Sequence, residues 1–197
     1  MGRKFISSRV CQRSCRPPVD ISCFFSFLVA IFLVLYRDRN VERQGRMGLF
    51  DFLKRKRMPP TFEDAMASQA ADFVRAFSHP SAPIDAAGLT YSEESLQLVD
   101  RVLEDFHRRQ AALPDDLHFL ASAYVFETAR RQFGGRYLRG DQDNPFVLVI
   151  GEPDFQVGVL VMAKIKGRVA NGLEDSIPYF FAGIAPLVER RTNATLV

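Results

Sequence analysis

The sequence predicts a domain of the α+β class, in which three helices precede a three-stranded, mostly antiparallel sheet and one further helix follows it. Two observations support this prediction. Apolar residues recur at helical spacing between residues 61 and 133, whereas residues 136 to 168 contain short β-branched runs separated by turn residues. Helices and strands that are separated in this way, without an internal repeat, are typical of α+β domains. The hydrophobic fraction of 47% and the charged fraction of 25% indicate a globular chain with a core.

The first helix is predicted to begin at Thr61, directly after the helix-breaking pair Pro59-Pro60, and to run to about Phe77. Threonine is a favourable N-cap, and Glu63 and Asp64 place negative charge in the first turn, where the helix dipole favours it. The apolar residues of this segment follow helical spacing: Phe62, Met66, Ala70, Phe73 and Phe77.

Two more helices are predicted after a loop formed by residues 79 to 88. Ser92 is the predicted N-cap of the second helix, whose apolar residues form one stripe: Leu96, Val99, Leu103 and Phe106. Pro114-Asp115-Asp116 is a favourable start for the third helix, and Gly134-Gly135 is a favourable end. Apolar residues occur on nearly every side of this third helix, so we expect it to be the central and most buried one.

Three strands and a last helix are predicted after Gly135. The predicted strands are Arg136–Arg139, Phe146–Ile150 and Phe155–Arg168. Short connections rich in glycine, asparagine and aspartate join them, which favours an antiparallel meander. The last helix is predicted from about residue 175 to about residue 191, with Pro178 in its first turn.

Charge and cysteine content divide the chain near residue 47. Residues 1–46 contain nine basic residues, three acidic residues and all three cysteines, whereas residues 47–197 contain 17 basic and 20 acidic residues. We therefore divide the chain into an N-terminal extension at 1–46, a basic amphipathic leader at 47–60, a single α+β domain at 61–191 and a tail at 192–197. The domain has no cysteine for a disulfide, a nucleophile or a metal site.

The extension contains an uncharged apolar run at residues 21–36, flanked by arginines. As a helix this run would span about 24 Å, somewhat less than the roughly 30 Å hydrocarbon core of a bilayer. One interpretation is a membrane anchor. The other is that Met47 is the true start and that the preceding residues are translated upstream sequence. Because basic residues are denser after the run than before it, an anchor would leave the domain in the cytoplasm, so both interpretations predict a cytoplasmic domain.

The leader also has two interpretations. Leu49, Phe50, Phe52 and Leu53 are apolar and are followed by the four cations of residues 54–57. Such a pattern is typical of a weakly binding interfacial segment at a membrane. The pattern favours the other interpretation, an N-terminus whose charges keep it soluble.

The sequence contains no familiar cofactor or metal motif. Gly134-Gly135 precedes a strand instead of opening a helix, and no phosphate-binding loop occurs. His79, His107 and His118 lack the spacing of a helical metal pair, so we predict a surface position for each. The net charge of −3 over residues 47–197 argues against general nucleic-acid affinity. We therefore predict no cofactor, no metal and no nucleic-acid partner.

Glu127 is the most informative charged residue, because it follows a mostly apolar stretch of the helix predicted to be central. Arg130 and Arg131 follow three and four residues later, within reach of its carboxylate. A buried glutamate with a raised pKa is a candidate general base, whereas a glutamate paired with Arg131 is a structural ion pair. The sequence leaves both interpretations open.

Lys164, Lys166 and Arg168 alternate along the predicted third strand, so their side chains are expected to share one face of the sheet. Such a face is either an anion-binding stripe or the solvated side of an antiparallel sheet. Together with Glu127 and Arg131, these three residues are the binding residues that the sequence predicts.

Five short segments of the chain occur in a characteristic order: Ala123–Glu127, Gly134–Tyr137, Asn144–Phe146, Lys164–Arg168, and Gly172 with Asp175–Ile177. Between about residues 89 and 188 this order resembles a bacterial domain type of unknown function. The resemblance implies a small α+β fold and a bacterial, cytosolic setting. It implies no activity.

A complete core pattern without an assembled set of catalytic residues favours a non-enzymatic interaction or regulatory module that has a protein partner. Two alternatives stay open. One is a small hydrolase or ligand-binding enzyme that uses Glu127. The other is an accessory protein that is tethered to the membrane through residues 21–36.

Overall fold

The computed structural model describes residues 61–79 and 81–197, in which helices pack on a mixed sheet. The predicted α+β class is confirmed, but the numbers of helices and strands differ from the prediction. The predictions for the apolar run at 21–36 and for the leader at 47–60 lie outside the described residues. Within the described ranges, no helix has the length and apolar character needed to cross a bilayer.

Three α-helices come first, as predicted: α1 (Phe62–Ala76), α2 (Leu96–Arg109) and α3 (Asp115–Phe133). Thr61 caps α1, because its hydroxyl accepts a hydrogen bond from the Asp64 N–H (3.1 Å) and its own N–H donates to the Asp64 carboxylate (3.0 Å). The N-cap predicted at Ser92 is wrong. The Ser92 hydroxyl instead accepts from the Ser95 N–H (3.3 Å), which closes a local turn ahead of α2.

Helix α3 is the central helix, as predicted. All its residues from Leu120 to Ala129 are buried. The helix packs against α1, where the ring centroids of Phe73 and Tyr124 lie 5.2 Å apart. A polar side chain on this part of α3 is costly to bury unless it is hydrogen bonded. Glu127 lies here, so its carboxylate requires hydrogen-bond partners.

The sheet contains β1 (Arg136–Arg139), β2 (Phe146–Ile150), β3 (Val157–Val159) and β4 (Ala194–Leu196), in the spatial order β1-β2-β3-β4. The β1–β2 and β2–β3 pairs are antiparallel, whereas β4 pairs parallel to β3. The fourth strand thus comes from residues that the sequence analysis assigned to the tail. The Leu160 N–H also donates to the Leu196 carbonyl (2.9 Å) and extends this pairing.

The register gives the sheet two different faces. Tyr137, Leu148 and Val159 form one cross-strand row, and all three are buried on the side of the helices. Since side chains alternate along a strand, the neighbouring row points to the opposite side, which we call the outer face. The residues of the outer face are Arg136, Leu138, Val147, Val149, Gly158 and Thr195.

The long strand predicted at residues 155 to 168 is wrong. Of the residues predicted to form this strand, only those of β3 pair in the sheet, and helix α4 (Val161–Asn171) follows β3. Val161, Ile165 and Arg168 are buried at helical spacing, so α4 presents one stripe to the core. The β-branched residues favoured a strand, but packing of this stripe overrides their weak preference.

The single C-terminal helix predicted from about residue 175 is also wrong. A 3-10 turn and two short helices occupy this part of the chain: Gly172–Asp175, α5 (Ile177–Ala182) and α6 (Ile184–Glu189). The break between the two helices is at Gly183, three residues before Pro186, which has no N–H to donate to the Ala182 carbonyl and so disfavours one continuous helix.

Candidate functional site

Glu127 lies on the buried part of α3 and is only 2% exposed. Both of its carboxylate oxygens accept hydrogen bonds from arginines of the same helix. Arg130 donates from Nε to Oε2 (2.9 Å) and from Nη2 to Oε1 (3.2 Å), and Arg131 donates from Nε to Oε1 (2.8 Å). The structure therefore brings Glu127 and Arg131 together, and it adds Arg130 to the pair.

Two opposing effects act on the pKa of Glu127. Burial alone would raise this pKa, but the hydrogen bonds and the charges of Arg130 and Arg131 outweigh burial and lower the pKa below its ordinary value. The lowered pKa and the three hydrogen bonds favour the second interpretation, in which Glu127 is part of a structural ion pair.

Arg131 is also part of an aromatic stack that sequence reasoning missed. Its guanidinium carbon lies 3.6 Å from the centroid of the Tyr91 ring, which in turn stacks on Tyr124 at 4.8 Å. Tyr91 has a positive φ of 58°, unusual for a bulky residue, and its N–H donates to the Tyr124 hydroxyl (3.0 Å). The stack fastens the segment ahead of α2 to the central helix. Its contacts join residues too distant in sequence for a local pattern to show them.

We expect Glu127→Gln to lower the free energy of unfolding by about 1–3 kcal/mol at neutral pH, because two arginines lose a charged acceptor. Since the folded-state pKa is lowered, the carboxylate contributes stability above its unfolded-state pKa, and this contribution disappears as the pH falls through the folded-state pKa. The difference between wild type and variant should therefore shrink below about pH 4. Urea denaturation at a series of pH values measures it, and a difference that stays constant down to acidic pH would contradict the account.

Lys164, Lys166 and Arg168 do not share one face, because they lie on helix α4 and not on a strand. Arg168 is completely buried and points to α2. Lys164 is mostly buried and donates to the Asp175 carboxylate (2.6 Å), whereas Lys166 is exposed. The predicted shared strand face of these three cations is therefore wrong.

Arg168 holds the most enclosed ion pair of the described residues. Its Nε and Nη2 each donate to the Asp100 carboxylate at 2.9 Å, and its Nη2 lies 2.7 Å from Glu104 Oε2. Asp100 also accepts the N–H of Ile177, the first residue of α5 (2.9 Å). These contacts join α2, α4 and α5, and they leave Arg168 no surface for a ligand.

One histidine, His118, is not on the surface, contrary to the prediction, and His107 is partly exposed. His118 is buried and donates from Nε2 to the Met162 carbonyl (2.9 Å), and His107 donates from Nδ1 to the Val169 carbonyl (2.8 Å). Burial lowers the pKa of His118, which keeps its ring neutral. These hydrogen bonds join α4 to α2 and to α3.

Among the described residues, no cluster of His, Cys, Asp and Glu could hold a metal ion.

A groove with an arginine rim lies between helix α2 and the segment that follows α1. We call it the arginine groove, and its volume is about 470 Å³. Its lining consists of Pro83, Ile84, Arg101, Val102, Asp105, Arg108 and Arg109. Ile84 and Val102 are nearly buried and form an apolar floor, whereas Arg101 and Arg108 are exposed. The α2 residues lie on one side of the helix because they are spaced three or four positions apart.

The arginine groove is basic although the surrounding domain is acidic. Asp105 is its one acidic residue, and this carboxylate contacts Arg108 (3.3 Å) and Arg109 (3.1 Å). Three guanidinium groups against one carboxylate leave a net charge of +2 along the lining. Residues 61–197 as a whole contain 13 basic and 19 acidic residues, a net charge of −6. The groove can therefore receive an apolar side chain on its floor while its rim binds anionic groups.

Sequence reasoning missed the arginine groove. The single apolar stripe of α2 was predicted, and the basic residues at the C-terminal end of this helix were visible in the sequence. The sequence did not show that Ile84 lies beside α2, because the loop that contains Ile84 has no periodic pattern.

Comparisons of the chain with family models, with curated proteins and with solved structures found no match. The resemblance to a bacterial domain of unknown function therefore stays a prediction.

Proposed function

We propose that this domain is a non-enzymatic interaction module that binds an acidic, amphipathic segment of a partner protein in the arginine groove. The observation that carries the proposal is the apolar floor of Ile84 and Val102 beneath a rim of three arginines. Proteins recognise linear segments by combining an apolar anchor with charges that set orientation and specificity.

The dimensions of the groove favour a short segment. The lining residues of α2 run from Arg101 to Arg109, a distance of about 12 Å along the helix axis. About four residues of extended chain cover this length. One large apolar side chain flanked by carboxylates therefore matches the floor and the rim.

The charges elsewhere in the domain support a binding role over a catalytic one. Glu127 uses both carboxylate oxygens in its ion pair, and Arg168 is enclosed by Asp100 and Glu104. The arginine groove, in contrast, combines exposed cations with open volume. Charged groups in this arrangement bind and orient a partner, and no nucleophile accompanies them in the lining.

Selection from a library of short displayed peptides tests the proposal. We expect the selected peptides to contain a large apolar residue flanked by aspartate or glutamate. Arg101→Glu should then weaken their binding by about tenfold or more, which corresponds to ~1.4 kcal/mol. Arg139→Glu is the matched control, because Arg139 is an exposed arginine of β1 that does not line the groove.

Two outcomes would overturn this proposal. One is a selection that shows no preference for carboxylates. The other is an equal loss of affinity in the Arg101→Glu and Arg139→Glu variants, which would indicate general charge attraction. Salt adds a further check, because binding between exposed charges should weaken as ionic strength rises.

A further inference from the structure

The three cations of the arginine groove are not equally available to a partner. Asp105 lies between them along α2, and its carboxylate contacts the two arginines on its C-terminal side. Asp105 Oδ1 accepts from Arg108 Nη2 (3.3 Å) and from Arg109 Nε (3.2 Å), and Oδ2 lies 3.1 Å from Arg109 Nη2. Arg101, on the other side, forms no ion pair with any of the described residues. One end of the groove therefore already holds a carboxylate, and the other end does not.

We propose that Asp105 is an internal competitor for the acidic groups of the partner segment. The inference rests on the proposed function and adds the residue that regulates binding at the same site. Asp105 occupies the end of the groove formed by Arg108 and Arg109, so a partner carboxylate binds there only by displacing it. Arg101 receives a partner carboxylate without such competition. The groove thus favours a segment whose carboxylate lies on the Arg101 side of its apolar anchor.

The position of Asp105 along α2 explains why it holds these two arginines and not Arg101. On a helix, an acidic residue pairs best with a basic residue three or four positions after it, because this order agrees with the helix dipole. Arg108 and Arg109 follow Asp105 at these two spacings, whereas Arg101 precedes it by four positions. Both are also in the last turn of α2, where the dipole favours cations. Occupation of this end of the groove therefore follows from helical spacing.

The contacts of Asp105 are loose enough to open. Hydrogen bonds between a guanidinium and a carboxylate are usually about 2.7–2.9 Å long. Those of Asp105 are 3.2 and 3.3 Å, whereas Arg168 donates to Asp100 twice at 2.9 Å. The side chains of Arg108 and Arg109 are 65% and 35% exposed, and an exposed pair contributes at most about fivefold to an equilibrium constant. A partner carboxylate can therefore displace Asp105, and its affinity falls by up to this factor.

Two synthetic peptides distinguish the two ends of the groove. Both contain the same apolar anchor. One has an aspartate on each side of the anchor, and the other keeps only the aspartate that contributes more to binding of the wild type. Isothermal titration calorimetry measures their affinities for the full chain and its variants.

We expect Asp105→Asn to raise the affinity for the two-aspartate peptide by about fivefold, because Arg108 and Arg109 become available to the second aspartate. The affinity for the one-aspartate peptide should change by less than about twofold, since Arg101 already receives its carboxylate. Arg108→Gln in the Asp105→Asn background should remove most of the gain, which would locate the second aspartate at this end of the groove.

Asp72→Asn is the matched control. Asp72 also pairs with an arginine three positions later, Arg75 of α1 (2.7 Å), and its side chain is 22% exposed, close to the 20% of Asp105. Asp72 does not line the groove. The control variant therefore changes the net charge by the same amount, and both peptides should bind it as they bind the wild type.

Asp105→Ser is a second variant for the case that Asp105→Asn does not fold, and we expect the same gain. An unchanged affinity for the two-aspartate peptide in the folded variants, or an equal gain in Asp72→Asn, would overturn the inference. The proposed function would stand in both cases if Arg101→Glu still weakens the binding of both peptides. A wild type that binds neither peptide would overturn the proposed function and this inference with it.

Discussion

We expect Arg168→Met to lower the free energy of unfolding by about 3–5 kcal/mol, because removal of one partner from a buried ion pair leaves the other charge uncompensated. The Arg168 side chain is only 1% exposed, and its guanidinium contacts both Asp100 and Glu104. Without it, the carboxylates of Asp100 and Glu104, which are 16% and 30% exposed, lose the cation that lies between them. Asp100 also accepts the N–H of Ile177, so the start of α5 should loosen as well.

Urea denaturation of this variant has a matched control on the same helix. Lys166 is exposed, and Lys166→Met should change the free energy of unfolding by no more than about 0.5 kcal/mol. Restoring neutrality in the pair with the double variant Arg168→Met, Asp100→Leu should recover part of the loss. Equal effects of the two single variants would show that Arg168 is not part of the core.

Phe73→Ala should lower the free energy of unfolding by about 3–5 kcal/mol, because it leaves a cavity at the contact between α1 and α3. Phe73 is completely buried, and its ring centroid lies 4.9 Å from that of Phe77 and 5.2 Å from that of Tyr124. This contact connects the two helices that pack most extensively on each other, so its loss should affect the whole domain.

Phe62→Ala, at the start of the same helix, is the control for this measurement. Phe62 is 40% exposed, so less apolar area returns to water when its ring is removed. We expect the loss for Phe62→Ala to be less than half of that for Phe73→Ala. A larger loss at Phe62 would contradict the location of the core.

Local signals in the sequence were sufficient for the first part of the fold. The capping box at Thr61, the acidic start of α3 at Asp115 and the glycine at its end are contacts within a few residues, and each defines a helix boundary. The strands β1 and β2 are joined by a short turn, so their antiparallel pairing follows from the chain itself. These elements were therefore predictable.

The second part of the fold depends on contacts between distant residues. Arg168 looked like an exposed strand residue, and only its pairing with Asp100 on α2 makes a buried position acceptable. Gly167, on the same helix as Arg168, also has a role that depends on a distant contact. The Asp175 carboxylate packs against it so closely that a Cβ there would lie 2.5 Å from the Asp175 carboxylate. Strand β4 forms because β3 offers it a parallel edge, which the sequence of Ala194–Leu196 does not indicate.

The candidate site was only partly predictable for the same reason. The pairing of Glu127 with Arg131 follows from helical spacing and was one of the two interpretations of Glu127 that the sequence left open. The arginine groove depends on the fold of the loop that places Ile84 beside Val102. The sequence of a loop without periodicity does not show which residues lie beside it, so the groove could be found only in the structure.

Amide chemical shifts of the ¹⁵N-labelled protein, recorded while a selected acidic peptide is added, test the central claim most directly. The proposal predicts that the largest shifts occur at Ile84, Arg101, Val102 and Arg108, and that they disappear in the Arg101→Glu variant. Largest shifts on the outer face of the sheet or around Glu127 would contradict it, because the peptide would then bind outside the arginine groove.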